Sequence, residues 1–264
     1  MHEFMKFLIC PLLFSGLVAC TSHQPIEKTN RAEVAAAMFH ERCKLSGEKI
    51  YRTVKDVDGI FLLKIRPQGE NFSSQYLFDD PYGNDLGGQA YIRSFLHGSH
   101  LTNLMNMKDS SINSPSRTGY SYVDVVEPAD GKRYRYTGRI EEPALTDSAY
   151  LKGYMKFTHS RILANVPAPR YGITYEDIST RADRDYWIAG SSLKIIDLNT
   201  NEVIAERVGY LYDAGQGETS GGRAPWIWAA DHSCPSFGPS PAFSSQQNQT
   251  VIFAEKVLHP LKGK

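Results

Sequence analysis

The chain has 264 residues, 41% of them apolar and 22% charged, the composition of an ordinary folded protein with room for a buried core in one or two domains. Lys plus Arg and Asp plus Glu each number 29, so the net charge is zero, and no basic run disturbs that balance. A neutral chain of this kind lacks the electrostatic footprint of a nucleic-acid binder, and nucleic acid is excluded as a partner.

The opening MHEFMKFLICPLLFSGLVACTS places Lys6 in a short polar head, followed by an apolar run from Phe7 to Val18 that is interrupted by Pro11, Ser15 and Gly16. A run of that length is too short to span a bilayer and has the proportions of a signal peptide. Leu17-Val18-Ala19-Cys20 follows directly. These four residues resemble the lipobox of bacterial lipoproteins: Leu, a small or apolar residue, Ala or Gly, then Cys. The resemblance covers only the first twenty or so residues. It implies export, lipid attachment at Cys20, cleavage before it and acylation of the new amino group. Several acyl chains anchor durably, because each buried methylene contributes about 0.8 kcal/mol. Thr21 stands where an Asp would favour the inner membrane, so the expected address is the outer membrane, facing the periplasm. The organisation expected is a signal peptide over 1–19, a lipidated cysteine and polar tether over 20–30, and one β-rich globular domain over 31–264. Without residues 1–19 the charges are 28 against 28, still neutral.

Asn30-Arg31-Ala32-Glu33 reads as a capping box and predicts a helix over about 31–45, with Met38, Phe39 and Cys43 facing a sheet. Lys49–Lys55 and Ile60–Arg66 read as two strands joined through Asp56-Val57-Asp58-Gly59. Residues 67–118 read as a long irregular insertion, with a short strand or helix at Ala90–Leu96 and another at Leu101–Met107. Tyr120–Val126 and Arg133–Ile140 flank the turn Pro128-Ala129-Asp130-Gly131. That loop length pairs Val123 with Tyr136, Val125 with Tyr134 and Asp124 with Arg135, so an apolar face and a charge-paired face emerge from one register. Tyr154–Leu163 and Tyr171–Tyr175 are further strands.

Tyr186–Asp213 predicts a long hairpin turning at Asn199-Thr200-Asn201, with Asn201 in the left-handed conformation. Counting outward pairs Ile196 with Ile204 and Lys194 with Glu206. Both strands are apolar on both faces, the pattern of strands covered on two sides, so the hairpin is expected at the centre of the core. The tail Asp231–Gln249, rich in Pro, Ser and Gln, is expected over the surface, and Val251–Leu258 as a last helix or strand. The fold class is therefore mostly β (α+β): an antiparallel sheet or sandwich with a central long hairpin, an N-terminal helix and a short C-terminal helix.

Cys10 leaves with the signal peptide and Cys20 is the lipid site, which leaves Cys43 and Cys234 as an even pair in an oxidising compartment. A disulfide is the expected outcome. The rival is a zinc site formed by those thiols with His40 and His232. His97 and His100 sit close together but lack partners at metal-ligand spacing, and read as a surface loop. Asp231-His232-Ser233 holds the residue types of a hydrolase triad without a nucleophile elbow. The Gly-rich stretch 215–222 carries no phosphate-loop Lys and reads as a flexible loop. Trp226 and Trp228 would point the same way on an extended segment and form a binding platform, or else pack at a core edge. No metal or cofactor is implied and no catalytic residue is nominated. The expected function is a non-catalytic binding protein of the cell envelope, held to the membrane by its lipid and partnered by an envelope protein or glycan; an immunity lipoprotein is one version. The alternative is an envelope hydrolase with its site in the 67–118 or 213–240 loops.

Overall fold

The computed structural model describes residues 24–68, 73–77, 80–83, 86–99, 119–238 and 242–261. The signal-like segment, Cys20, His100 and the predicted element Leu101–Met107 lie outside the described residues.

A mixed nine-stranded sheet organises the protein. In chain order the strands are β1 (Gly47–Ile50), β2 (Val54–Val57), β3 (Gly59–Leu62), β4 (Tyr122–Val126), β5 (Arg133–Glu141), β6 (Lys156–Leu163), β7 (Tyr171–Asp177), β8 (Ile188–Asp197), β9 (Glu202–Tyr212), β10 (Ser233–Cys234) and β11 (Leu258–Pro260). Across the sheet they run β1-β9-β8-β7-β3-β4-β5-β6, with β10 also on β9, while β2 and β11 form a small parallel pair of their own. The expected class holds: β-rich, with an N-terminal helix at Gln24–Cys43 and a short C-terminal helix at Gln249–Val257.

The sheet is mixed rather than antiparallel because of β3, which pairs in parallel with β4 on one side and β7 on the other. Its residues Gly59, Ile60 and Leu62 are buried, so this short strand is covered on both faces, as an interior parallel strand requires. The segment Lys49–Arg66 therefore does not close as a hairpin. Asp56 takes a left-handed φ of 56°, β2 leaves for β11, and β3 enters the sheet between two later strands.

The β4–β5 hairpin has the register read from its turn, with Val123 opposite Tyr136, Asp124 opposite Arg135 and Val125 opposite Tyr134. In the β8–β9 hairpin Asn201 is left-handed, with φ 57°, and Lys194 lies opposite Glu206. Nearer the turn Ile196 faces Val203 instead of Ile204, because the register shifts by one residue there. The charge pair is also redistributed: Lys194 takes Glu176 of β7 at 3.1 Å, and Glu206 accepts from Ser192 at 2.8 Å.

This hairpin lies beside the middle of the sheet, which β7 and β3 occupy, yet it joins both cores. Leu193, Ile195, Ile204 and Ala205 belong to the larger one, with Phe95, Tyr120, Val123 and Phe253. Ala189 and Leu211 belong to the smaller one, with Tyr82, Trp187, Trp226 and Ala229. The N-terminal helix already includes Gln24, six residues before the predicted cap at Asn30, so part of the segment read as a tether is helical. Ala35 is buried and Phe39 stacks on Tyr212 of β9 with ring centroids 4.6 Å apart, so one helical face lies on the sheet.

The tail 231–249 is not purely a surface strap. Ala242, Gln246 and Gln249 are buried, and the Gln246 amide nitrogen donates to the Tyr82 carbonyl at 3.0 Å. A side-chain amide buried against loop carbonyls satisfies polar groups that a hydrophobic residue would leave unpaired.

Candidate functional site

Cys43 and Cys234 are joined, with Cα atoms 5.6 Å apart and 191 residues between them in sequence. The bond ties the end of the N-terminal helix to β10. It also consumes both thiols that a zinc site would have needed, and among the described residues no group of three or more His, Cys, Asp or Glu is placed to hold a metal ion.

The two tryptophans do not form a platform. Pro225–Ala229 is a short helix started by its proline, and side chains two apart on a helix point in nearly opposite directions. Trp226 is fully buried, 5.0 Å from the Trp187 ring, with its Nε1 donating to the Ser74 carbonyl at 2.8 Å. Trp228 is 55% exposed. Packing at a core edge was the correct alternative for one of them and the platform for neither.

Asp231, His232 and Ser233 turn to different neighbours. Asp231 accepts from the Ala242 amide, His232 lies edge-on to Tyr212, and the Ser233 hydroxyl donates to the Ala230 carbonyl. No triad is assembled from them. The glycine loop 215–222 is held rather than loose: buried Asp213 accepts from the Gly215 and Gly217 amides and pairs with Arg223. His97 ends the helix Gln89–His97 instead of lying in a loop. Its ring packs 4.6 Å from Phe157, and burial, with Arg93 adding to it, lowers its pKa to about 4.

The feature that stands out is the far edge of the sheet. Among the described residues β6 pairs only with β5, so alternate backbone N–H and C=O groups along it face outward. Its inner face is fixed by a polar network. The Tyr136 hydroxyl donates to Glu127 and accepts from Gln89 at 3.0 Å and Arg161 at 3.2 Å. Arg161 also pairs with Glu127 at 2.7 Å, and His159 Nε2 lies 3.0 Å from the Gln89 amide oxygen. Burial is the main cause raising the Tyr136 hydroxyl pKa, and burial with Arg93 lowers that of His159. Both groups are therefore held neutral at neutral pH.

Exposed apolar side chains flank this edge at both ends. At one end Ile162 is 67% exposed, joined by Leu163, Val126 and Val166. At the other, the β5–β6 connection presents Leu145 and Leu151, 78% and 82% exposed, beside the stacked rings of Tyr150 and Tyr154. That connection is internally braced: Asp147 accepts from the Ala149 amide at 2.9 Å, and Glu142 accepts from Gly153. Between the two apolar ends, β6 carries Lys156 at its start and Arg161, whose charge Glu127 offsets.

The strand is legible in the sequence as Tyr154–Leu163, but its place at the edge of the sheet is not. Nothing in Lys156–Leu163 marks an edge, because a strand's neighbours are chosen by segments far away in sequence. The available signal was Ile162-Leu163, two adjacent apolar residues that cannot both face one side of a strand.

Compared with family models, with curated proteins and with solved structures, the chain matches none.

Proposed function

We propose that this is a lipid-anchored protein of the bacterial cell envelope that works by binding, and that β6 is where its partner adds. The partner is an extended segment of another envelope protein, apolar at its two ends. The observation that carries this reading is the exposed edge of β6, bounded by Ile162–Leu163 at one end and Leu145–Leu151 at the other. Strand addition draws affinity from main-chain hydrogen bonds and specificity from alternate side chains. An edge already rigid through the Tyr136 network loses little conformational entropy on binding. The lipobox-like Leu17–Cys20 supports the anchor, with lipidated Cys20 holding the folded body near the outer membrane on its periplasmic side.

The test is a photo-crosslinking residue placed at Ser160 in cells, with an exposed position on the β8–β9 turn, Thr200, as control. A partner protein captured only from Ser160, through an extended peptide with apolar ends, and lost in Ser160→Pro and Ile162→Lys, supports the reading. Equal capture from both positions sinks it, as does a purified protein that captures nothing and turns over an envelope substrate. Mass spectrometry of the mature chain tests the anchor separately: a diacylglyceryl mass on Cys20 is expected, and an unacylated N-terminus refutes it.

A further inference from the structure

At the opposite side of the sheet, Arg207 of β9 is only 6% exposed. A guanidinium stays protonated in any protein environment, so its burial needs an anion or many oxygen acceptors. Arg207 has two hydrogen bonds to neutral oxygens: the Tyr82 hydroxyl at 2.7 Å and the Gln249 carbonyl at 3.4 Å. Among the described residues its Nε is buried without a hydrogen-bond partner, and none of their carboxylates forms an ion pair with it. Tyr82 itself is seated by Gly209, where an added Cβ would fall 2.0 Å from the phenol oxygen. The carboxylate nearest in register is diverted. Glu48 lies directly across the β1–β9 ladder from Arg207, yet both of its oxygens accept from Lys256, at 3.0 and 2.9 Å.

Arg207, Glu48 and Lys256 line one cavity of about 110 Å³, whose walls include Phe237, Ser245 and Ile252. The disulfide at Cys234 sets the position of the wall segment 235–237. Two cations and one anion leave a single positive charge, which suits a monoanion better than a phosphate dianion. A cavity of about 150 Å³ holds benzene, so this one takes only the short acid end of a guest, the rest of which stays outside. The apolar wall, the serine hydroxyl and the single fork-shaped cation together suit a carboxylate on a short carbon chain.

We propose that this cleft binds a small monocarboxylate, free or as the end of a peptide, with the Arg207 guanidinium taking the carboxylate. The site is separate from the β6 edge and does not depend on it. The experiment follows the Arg207 Nε–H resonance of the full chain, disulfide intact, as propionate, N-acetylalanine or neutral propionamide is titrated in. A saturable shift with either acid and none with propionamide is expected; the tighter of the two acids tells a free acid from a chain end. Arg207→Met, followed by backbone resonances around 235–237, should weaken the acid about tenfold or more. Ser236→Trp places an indole at an exposed rim position and should block entry in a chain that folds normally, which keeps the test decisive if Arg207→Met unfolds. No saturable shift with either acid, an equal response to propionamide, or unchanged binding in folded Ser236→Trp overturns the proposal.

Discussion

Arg135 grips Asp124 from the neighbouring strand with two hydrogen bonds, Nε to Oδ1 at 2.7 Å and a terminal nitrogen to Oδ2 at 3.0 Å, while Asp124 is wholly buried. Arg133 adds a third at 3.0 Å, and the Arg135 guanidinium also lies 3.8 Å from the Tyr122 ring centroid. Asp124→Ala leaves two partly buried cations without their anion. It should cost about 3 kcal/mol, the low end for a broken buried pair because both arginines still reach solvent. Urea denaturation of the variant against the parent checks this, and an unchanged midpoint would show that the pair adds nothing.

Asp197 closes the end of β8, where Arg170 binds both of its oxygens and Arg52 binds one. The Arg170 hydrogen bonds outweigh the opposing effect of burial and, with Arg52, hold the carboxyl at about 2. A depressed carboxylate pKa adds stability above the unfolded value near 3.9 and loses it as pH falls towards the folded value. The protein should therefore weaken between about pH 4 and pH 2, and the part of that slope due to Asp197 should vanish in Asp197→Asn. Parallel denaturation curves for both proteins across that range provide the comparison.

A second acid response comes from His97. Its folded-state pKa of about 4, set by burial and then by Arg93, lies below the ordinary histidine value. The unfolded chain thus takes up this proton first, so the contribution is complete above about pH 6.5 and is lost as pH falls through about 4. Direct NMR titration of the imidazole gives the pKa. His97→Phe should flatten the stability profile in that window, and an imidazole titrating near 6.5 would contradict the packing against Phe157.

The bond between Cys43 and Cys234 spans 191 residues of sequence. On the chain-entropy account, closing a loop of that length contributes about 5 kcal/mol. Cys43→Ala with Cys234→Ala should lower the denaturation midpoint strongly, and reduction of the parent should reproduce the loss. If the double variant matches the parent, the crosslink only records a proximity that the fold already secures.

The neighbouring tryptophans should separate cleanly. Trp226→Ala removes a fully buried indole, its contact with Trp187 and its bond to Ser74, at a cost of about 3–5 kcal/mol. Trp228→Ala changes an exposed side chain and should shift stability by about 0.5 kcal/mol or less. Equal losses would mean that the short helix Pro225–Ala229 is misplaced.

Local pattern made the hairpins legible. The register of β4 with β5 follows from four loop residues and the pairing of Val123 with Tyr136, and Asn201 marked the turn of β8 and β9. Such features depend on residues close to each other in the sequence. The crosslink was also legible, since Cys43 and Cys234 were the cysteines left after the signal peptide and the lipid site were assigned. The choice between a tryptophan platform and packing at a core edge was not legible, because Pro225 starts a helical turn, and a change of period from two to 3.6 sends Trp226 inward and Trp228 outward.

Sequence by itself determined the β-rich class, the two long hairpins, the cysteine pair and the lipobox resemblance, because each is encoded by spacing, turn chemistry or a short contiguous motif. Only the tertiary structure decided that β3 lies parallel between β4 and β7 and, among the described residues, that β6 ends the sheet and that Glu48 serves Lys256 and leaves Arg207 without a carboxylate. Those outcomes depend on which distant segments share a boundary. Burial and charge pairing across such boundaries are properties of the assembled sheet, and no local window of residues contains them.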